Sequence, residues 1–139
     1  MTATIAVATD GSETAGKAVE MARDLARSFE AKLVLLSAYP KASPGKSSSD
    51  PELQWATNSA ARTREILARL EEDLADSGIK CETRTGEGDP AEVLLALATE
   101  CAADLLVVGN KGMKRRVLGS VPNAITHKAD CSVLVVKTT

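Results

Sequence analysis

The sequence predicts an α/β fold: a doubly wound sheet of five parallel strands with helices on both faces. Two observations carry that prediction. Short apolar runs alternate with stretches of helical periodicity along all 139 residues, which is the pattern of repeated βα units. The first, second, fourth and fifth runs have apolar centres with little alternation, as strands do when helices cover both faces. A chain of this length is expected to form one domain, 1–139, and to bury its core without disulfide or metal staples.

Each element has its own signal. Thr4 to Thr9 is apolar and reads as the first strand, broken by Asp10-Gly11-Ser12-Glu13. Ala15, Ala18, Val19, Ala22, Leu25, Ala26 and Phe29 then share one face of a helix. Lys32 to Tyr39 is the second strand. Pro40 to Pro51 holds three prolines and four serines and reads as a long loop. Glu52 to Ser77 is helical, with Ile66, Leu70 and Leu74 spaced by four, Leu67 beside them and Gly78 as the C-cap. Lys80 to Thr85 alternates weakly and reads as the third strand. Gly86 to Pro90 reads as a turn, with Asp89 as N-cap and Pro90 opening the next helix. Val93, Leu94, Leu97, Ala98 and Cys101 form that helix's apolar stripe. Leu105 to Val108 is the fourth strand, Val121 to Ala129 a short helix, and Ser132 to Val136 the fifth strand.

Composition removes several classes of function. The net charge of -2 gives no electrostatic case for nucleic acid or an anionic membrane. Phe29, Tyr39 and Trp55 are the only aromatics, too few for a base-stacking platform. Cys81, Cys101 and Cys131 lie far apart with no C-x-x-C, and His127 is the single histidine, so no metal site is expected. Buried thiols in a reducing compartment fit better. Met1-Thr2-Ala3-Thr4 lacks the charged region of a signal peptide, and no apolar run reaches transmembrane length. The expectation is a cytoplasmic protein.

Open parallel sheets bind ligands beyond the carboxyl ends of the strands, where the strand order reverses. Strand order 3-2-1-4-5 puts Asp10 beside Gly109; order 2-1-3-4-5 pairs Asp10 with Gly86 to Asp89 instead. The stronger glycine segment follows the fourth strand, which favours the first order. That segment runs Gly109-Asn110-Lys111-Gly112 and then Gly119-Ser120-Val121-Pro122. Strand, glycine segment and helix N-terminus together can present backbone N–H groups to a phosphate. Glycine supplies positive φ and close backbone approach, and Ser120 can cap the helix while offering its hydroxyl. Lys111 lies between two glycines and is the best placed cation; Lys114, Arg115 and Arg116 follow it. The competing readings are ordinary glycine turns and a solvated basic stretch. Asp10 can face a ribose or a metal-bound phosphate, or cap the first helix in a box with Glu13. His127 has no apparent partner and reads as a surface residue.

These residues resemble a known family. Ile5-Ala6-Val7-Ala8-Thr9-Asp10-Gly11-Ser12, the two glycine clusters, and Cys131-Ser132-Val133-Leu134-Val135-Val136 are similar to the signatures of the universal stress protein family. The resemblance spans essentially the whole chain. It implies a Rossmann-like sheet of order 3-2-1-4-5 and an ATP-binding branch. It also implies that Gly109, Gly112, Gly119 and Ser120 hold phosphates and ribose, with Val121 beside them. Ala8, Thr9 and Asp10 would line the crevice, and Ala38 would meet adenine through its backbone. A homodimer joined through Val133 to Val136 is implied as well. The chain departs from the family pattern in one respect: six residues, not nine, separate Gly112 from Gly119. The expected ligand is ATP, with or without Mg²⁺, and the shorter segment leaves AMP and cyclic AMP as alternatives.

No G-x-x-x-x-G-K-[ST] and no evident general base accompany the glycines, so a nucleotide-binding stress or signalling protein without efficient catalysis is expected. A slow ATPase or nucleotidyl transferase on the same fold is one alternative. A dimeric interaction module that has lost nucleotide binding is the other.

Overall fold

The protein was analysed as a computed structural model, which describes residues 3–40, 51–110 and 120–138. Its order is β1 (Thr4–Ala8), α1 (Glu13–Ser28), β2 (Lys32–Tyr39), α2 (Pro51–Leu74), β3 (Cys81–Glu87), α3 (Pro90–Glu100), β4 (Leu105–Gly109), α4 (Ser120–Lys128) and β5 (Ser132–Val136), with one 3₁₀ turn at Ala75–Ser77 after α2. The strands form one parallel sheet of order β3-β2-β1-β4-β5. The Pro40 to Pro51 loop falls largely outside the described residues, as do Lys111 to Gly119.

Strand pleating divides the core in two. Ile5 and Val7 of β1, Leu33 and Leu35 of β2 and Val107 of β4 point to one face, where Val19, Ala22 and Ala26 of α1 and Leu67 and Leu74 of α2 cover them. Ala6, Val34, Leu36, Leu106 and Val108 point to the other, under Leu94 and Leu97 of α3 and Ile125 of α4. Strands buried on both sides explain why the apolar runs hardly alternate.

Several boundaries differ from the sequence expectation for physical reasons. β3 continues through Gly86 and Glu87, because β2 runs on to Tyr39 and pairs Ala38 with Gly86 and Tyr39 with Glu87. A Cβ on Gly86 would stand 2.7 Å from Val93 Cγ1, so glycine here serves the close approach of α3. Phe29 does not join the apolar face of α1: it is 65% exposed. Glu30 takes φ 53°, and Ala31 turns under the helix to donate to the Ala26 carbonyl at 2.8 Å. Ala31 is buried in the core where Phe29 is not. α3 ends the same way, with Ala102 at φ 53° and Ala103 N–H donating to Ala98 O at 3.0 Å. Gly78 takes φ 78° and caps the 3₁₀ turn, as its type allows.

Candidate functional site

The sheet order reverses between β1, which continues to β2 on one side, and β4, its neighbour on the other. Beyond the carboxyl ends of these strands lies a cavity of about 290 Å³. Asp10 and Gly109 both line it, so the favoured strand order and the juxtaposition it entails are observed.

The cavity has two unlike walls. Ala8, Ala38, Leu94, Val108, Val121 and Pro122 form an apolar wall continuous with the α3 and α4 layer. Thr9, Asp10, Ser37 and Thr138 contribute polar side chains. Thr9 is buried; its N–H donates to Leu36 O at 2.9 Å, and its Oγ1 accepts from Gly11 N at 3.1 Å. The Asp10 carboxylate accepts from Ser12 N at 2.9 Å.

The local chemistry after β1 corrects one expectation. Asp10 is not the N-cap of α1. Ser12 is: its φ and ψ are extended, and its Oγ accepts from Ala15 N at 3.1 Å. Asp10 instead closes a two-residue Asx turn on Ser12, and Glu13 is the first helical residue. The turn keeps Asp10 exposed at the mouth of the cavity. Gly11 is required between them, because φ is 80° and a Cβ would run into the Ile66 side chain of α2.

Two further expectations concern the glycine segment. Gly109 does not take positive φ; it ends β4, paired with Val136. Its missing side chain matters for a neighbour instead, since a Cβ would lie 3.0 Å from Thr138 Cγ2. Ser120 is the first residue of α4, one place inside the cap position assigned to it, and it is exposed. Pro122 falls in the first turn of α4 as expected and is buried. Lys111, Gly112 and Gly119 lie outside the described residues, as do Lys114, Arg115 and Arg116.

Sequence reasoning missed Ser37, Leu94 and Thr138. Leu94 carried a helix-stripe signal, and Asp89, which accepts from Glu92 N at 3.1 Å, marks where that helix starts. The start of a helix after a strand was a usable clue to the cavity wall. Thr138 had no local signal. Burial raises the thiol pKa of Cys81, Cys101 and Cys131. All three are free, and among the described residues no cluster of His, Cys, Asp or Glu could hold a metal. His127 is exposed in the last turn of α4. Among the described residues no helix is long and apolar enough to cross a membrane.

Comparison with known proteins agrees with this architecture. The model of the universal stress protein family matches residues 1–137. A universal stress protein of Mycobacterium tuberculosis is 37% identical over 142 aligned positions, covering 98% of this chain and 97% of that one. Universal stress protein YxiE of Bacillus subtilis is 32% identical, over 94% and 96% of the two chains. Among solved structures, a universal stress protein in complex with cAMP is 34% identical with a TM-score of 0.78, covering 99% of this chain and 98% of that one. Universal stress protein UspA from Lactobacillus plantarum is 25% identical with a TM-score of 0.83, covering 97% of each chain. With its sheet order, its two-walled cavity and a family match over nearly its whole length, this chain belongs to the universal stress protein family.

Proposed function

We propose that the cavity binds an adenine nucleotide, cyclic AMP foremost, and that the protein serves stress response or signalling as a nucleotide-responsive module without efficient catalysis. The observation that carries this reading is the two-walled cavity at the sheet's reversal point. A flat base suits the apolar wall of Ala8, Ala38, Leu94 and Val121, where the Ala38 backbone meets its polar edge. A ribose suits Thr9 and Asp10, whose carboxylate can accept hydrogen bonds from its hydroxyls. The phosphate falls to Gly109 and to Ser120 at the start of α4. The sequence adds Lys111, Gly112 and Gly119 between them in the chain. The relative crystallised with cAMP, 34% identical to this chain, supports cyclic AMP as a ligand.

Titration calorimetry with cyclic AMP, AMP and ATP tests this reading. Saturable binding of at least one is expected, weakened in Asp10→Ala. No binding of any of the three at millimolar ligand would sink it.

The reading includes a homodimer through β5. That strand is a sheet edge, and Val133, Leu134 and Val135 stay only partly buried in the single chain. Sedimentation at micromolar protein checks it: a monomer there removes the dimer from the proposal. A cytoplasmic location belongs to the same reading, since it keeps Cys81, Cys101 and Cys131 reduced.

A further inference from the structure

Asn110 is 2% exposed and Thr138 is 1% exposed, although both are polar. Their burial is compensated by a specific set of bonds. Asn110 Oδ1 accepts from Thr138 N at 2.8 Å and from Thr138 Oγ1 at 2.9 Å. Asn110 N–H donates to Val136 O at 3.0 Å. The amide orientation follows from the partners: a backbone N–H can only donate, so the atom facing it is the oxygen. These three bonds tie the exit of β4 to the exit of β5. Gly109 completes the contact, because its missing Cβ lets Thr138 Cγ2 close on the strand end. Gly109 and Thr138 both line the cavity.

We propose that Asn110 and Thr138 are positioning residues, a clamp that sets where the chain leaves β4 for its glycine segment and thereby sets nucleotide affinity. The proposal rests on the nucleotide reading above. Its physical basis is that a buried amide oxygen bonded twice holds one geometry, whereas one that loses a donor must shift to find another. Thr138 Cγ2 occupies the space beside the missing Gly109 Cβ and both residues line the cavity, so a shift there moves the cavity wall. The consequence is unusual in its address: affinity depends on a hydroxyl two residues beyond the last strand, outside the glycine pattern.

The test compares Thr138→Val, which keeps shape and backbone N–H but lacks the hydroxyl, with Thr138→Ser, which retains it. Cyclic AMP, AMP and ATP are titrated into each, and the melting temperature and the Asn110 amide exchange rate are measured on the same samples. Thr138→Val is expected to weaken nucleotide binding about tenfold and to speed Asn110 exchange while the protein stays folded at the titration temperature. Thr138→Ser is expected to restore both. If the valine variant does not fold, Thr138→Ala replaces it in the comparison. Unchanged affinity in Thr138→Val overturns the proposal, as does a serine variant that binds as weakly as valine. If the wild type takes up none of the three nucleotides, the nucleotide reading fails. The link to affinity fails with it, and unchanged Asn110 exchange in the valine variant would remove the clamp too.

Discussion

The two edges of the sheet are made of opposite materials. β3 reads Cys-Glu-Thr-Arg-Thr-Gly-Glu, and β5 reads Ser-Val-Leu-Val-Val. On β3, Glu82 lies 3.5 Å from Lys32 Nζ and 4.0 Å from Arg84 Nη2. Charged side chains on an edge strand discourage another strand from pairing there. β5 carries no charge between Ser132 and Val136, and its middle is only half-buried. An unguarded apolar edge is a liability unless something covers it. One edge is closed by its own chemistry, and the other is the edge at which the homodimer is proposed. Thr138 follows the end of the open edge, so the cavity adjoins the strand at which the interface is proposed.

The largest expected effect breaks this contrast directly. Val133→Lys with Val135→Lys makes β5 resemble β3. In a two-fold interface each lysine pair would face its own copy, raising the dimer dissociation constant at least about a hundredfold. Sedimentation reads the change, with circular dichroism confirming a folded chain. A dimer of unchanged strength would place the interface elsewhere.

A smaller effect belongs to β3. Gly86→Ala puts a Cβ 2.7 Å from Val93 Cγ1, an overpacking that costs about 1–3 kcal/mol. The denaturant midpoint should fall, and adding Val93→Ala should recover part of the loss. A neutral Gly86→Ala would show that α3 moves freely away from this edge.

The guarding charges themselves contribute less to stability. Glu82→Gln should cost under about 1 kcal/mol, because its pairs with Lys32 and Arg84 are partly exposed. Its larger consequence is expected in concentration-dependent association, measured by light scattering. Stability loss of several kcal/mol would show that the ion pair holds the strand rather than guards it.

A pH dependence also belongs to β3. Burial, with Glu71 and Glu82 nearby, pushes the Cys81 thiol from 9.0 up to about 11. Between those values the unfolded chain loses the proton while the folded chain keeps it. Folding stability therefore falls as pH rises from about 9 to about 11. Cys81→Ala should flatten that part of the stability curve, followed by urea unfolding at each pH.

Much of this molecule is legible along the chain. β2 and β5 begin and end where their apolar runs do, and Asp89 with Pro90 marks the start of α3. The favoured strand order rested on two local features, the turn after β1 and the glycines after β4, and the sheet has that order. Other details were not legible because their cause lies elsewhere in the chain. Gly86 looks like a turn residue until β2 supplies a strand for it to pair with. Asp10 and Ser12 are both good caps by type, and the Asx turn around Gly11 decides between them. Phe29 fits the apolar stripe, yet the helix has ended by then, and Phe29 is exposed while Ala31 is buried.

The sequence by itself determined the layers. Unalternating apolar strands must be covered on both faces, and helices with one apolar stripe can cover them, so periodicity and burial settle the α/β sheet without knowledge of distant contacts. Only the tertiary structure decided what lines the cavity and what holds it. Ser37, Leu94 and Thr138 meet there because β2, α3 and the chain beyond β5 converge at the carboxyl end of the sheet. The bond from Thr138 to Asn110 spans 28 residues. Neither residue has a pattern that announces the other, because a buried polar group selects its partner by what packing brings within reach.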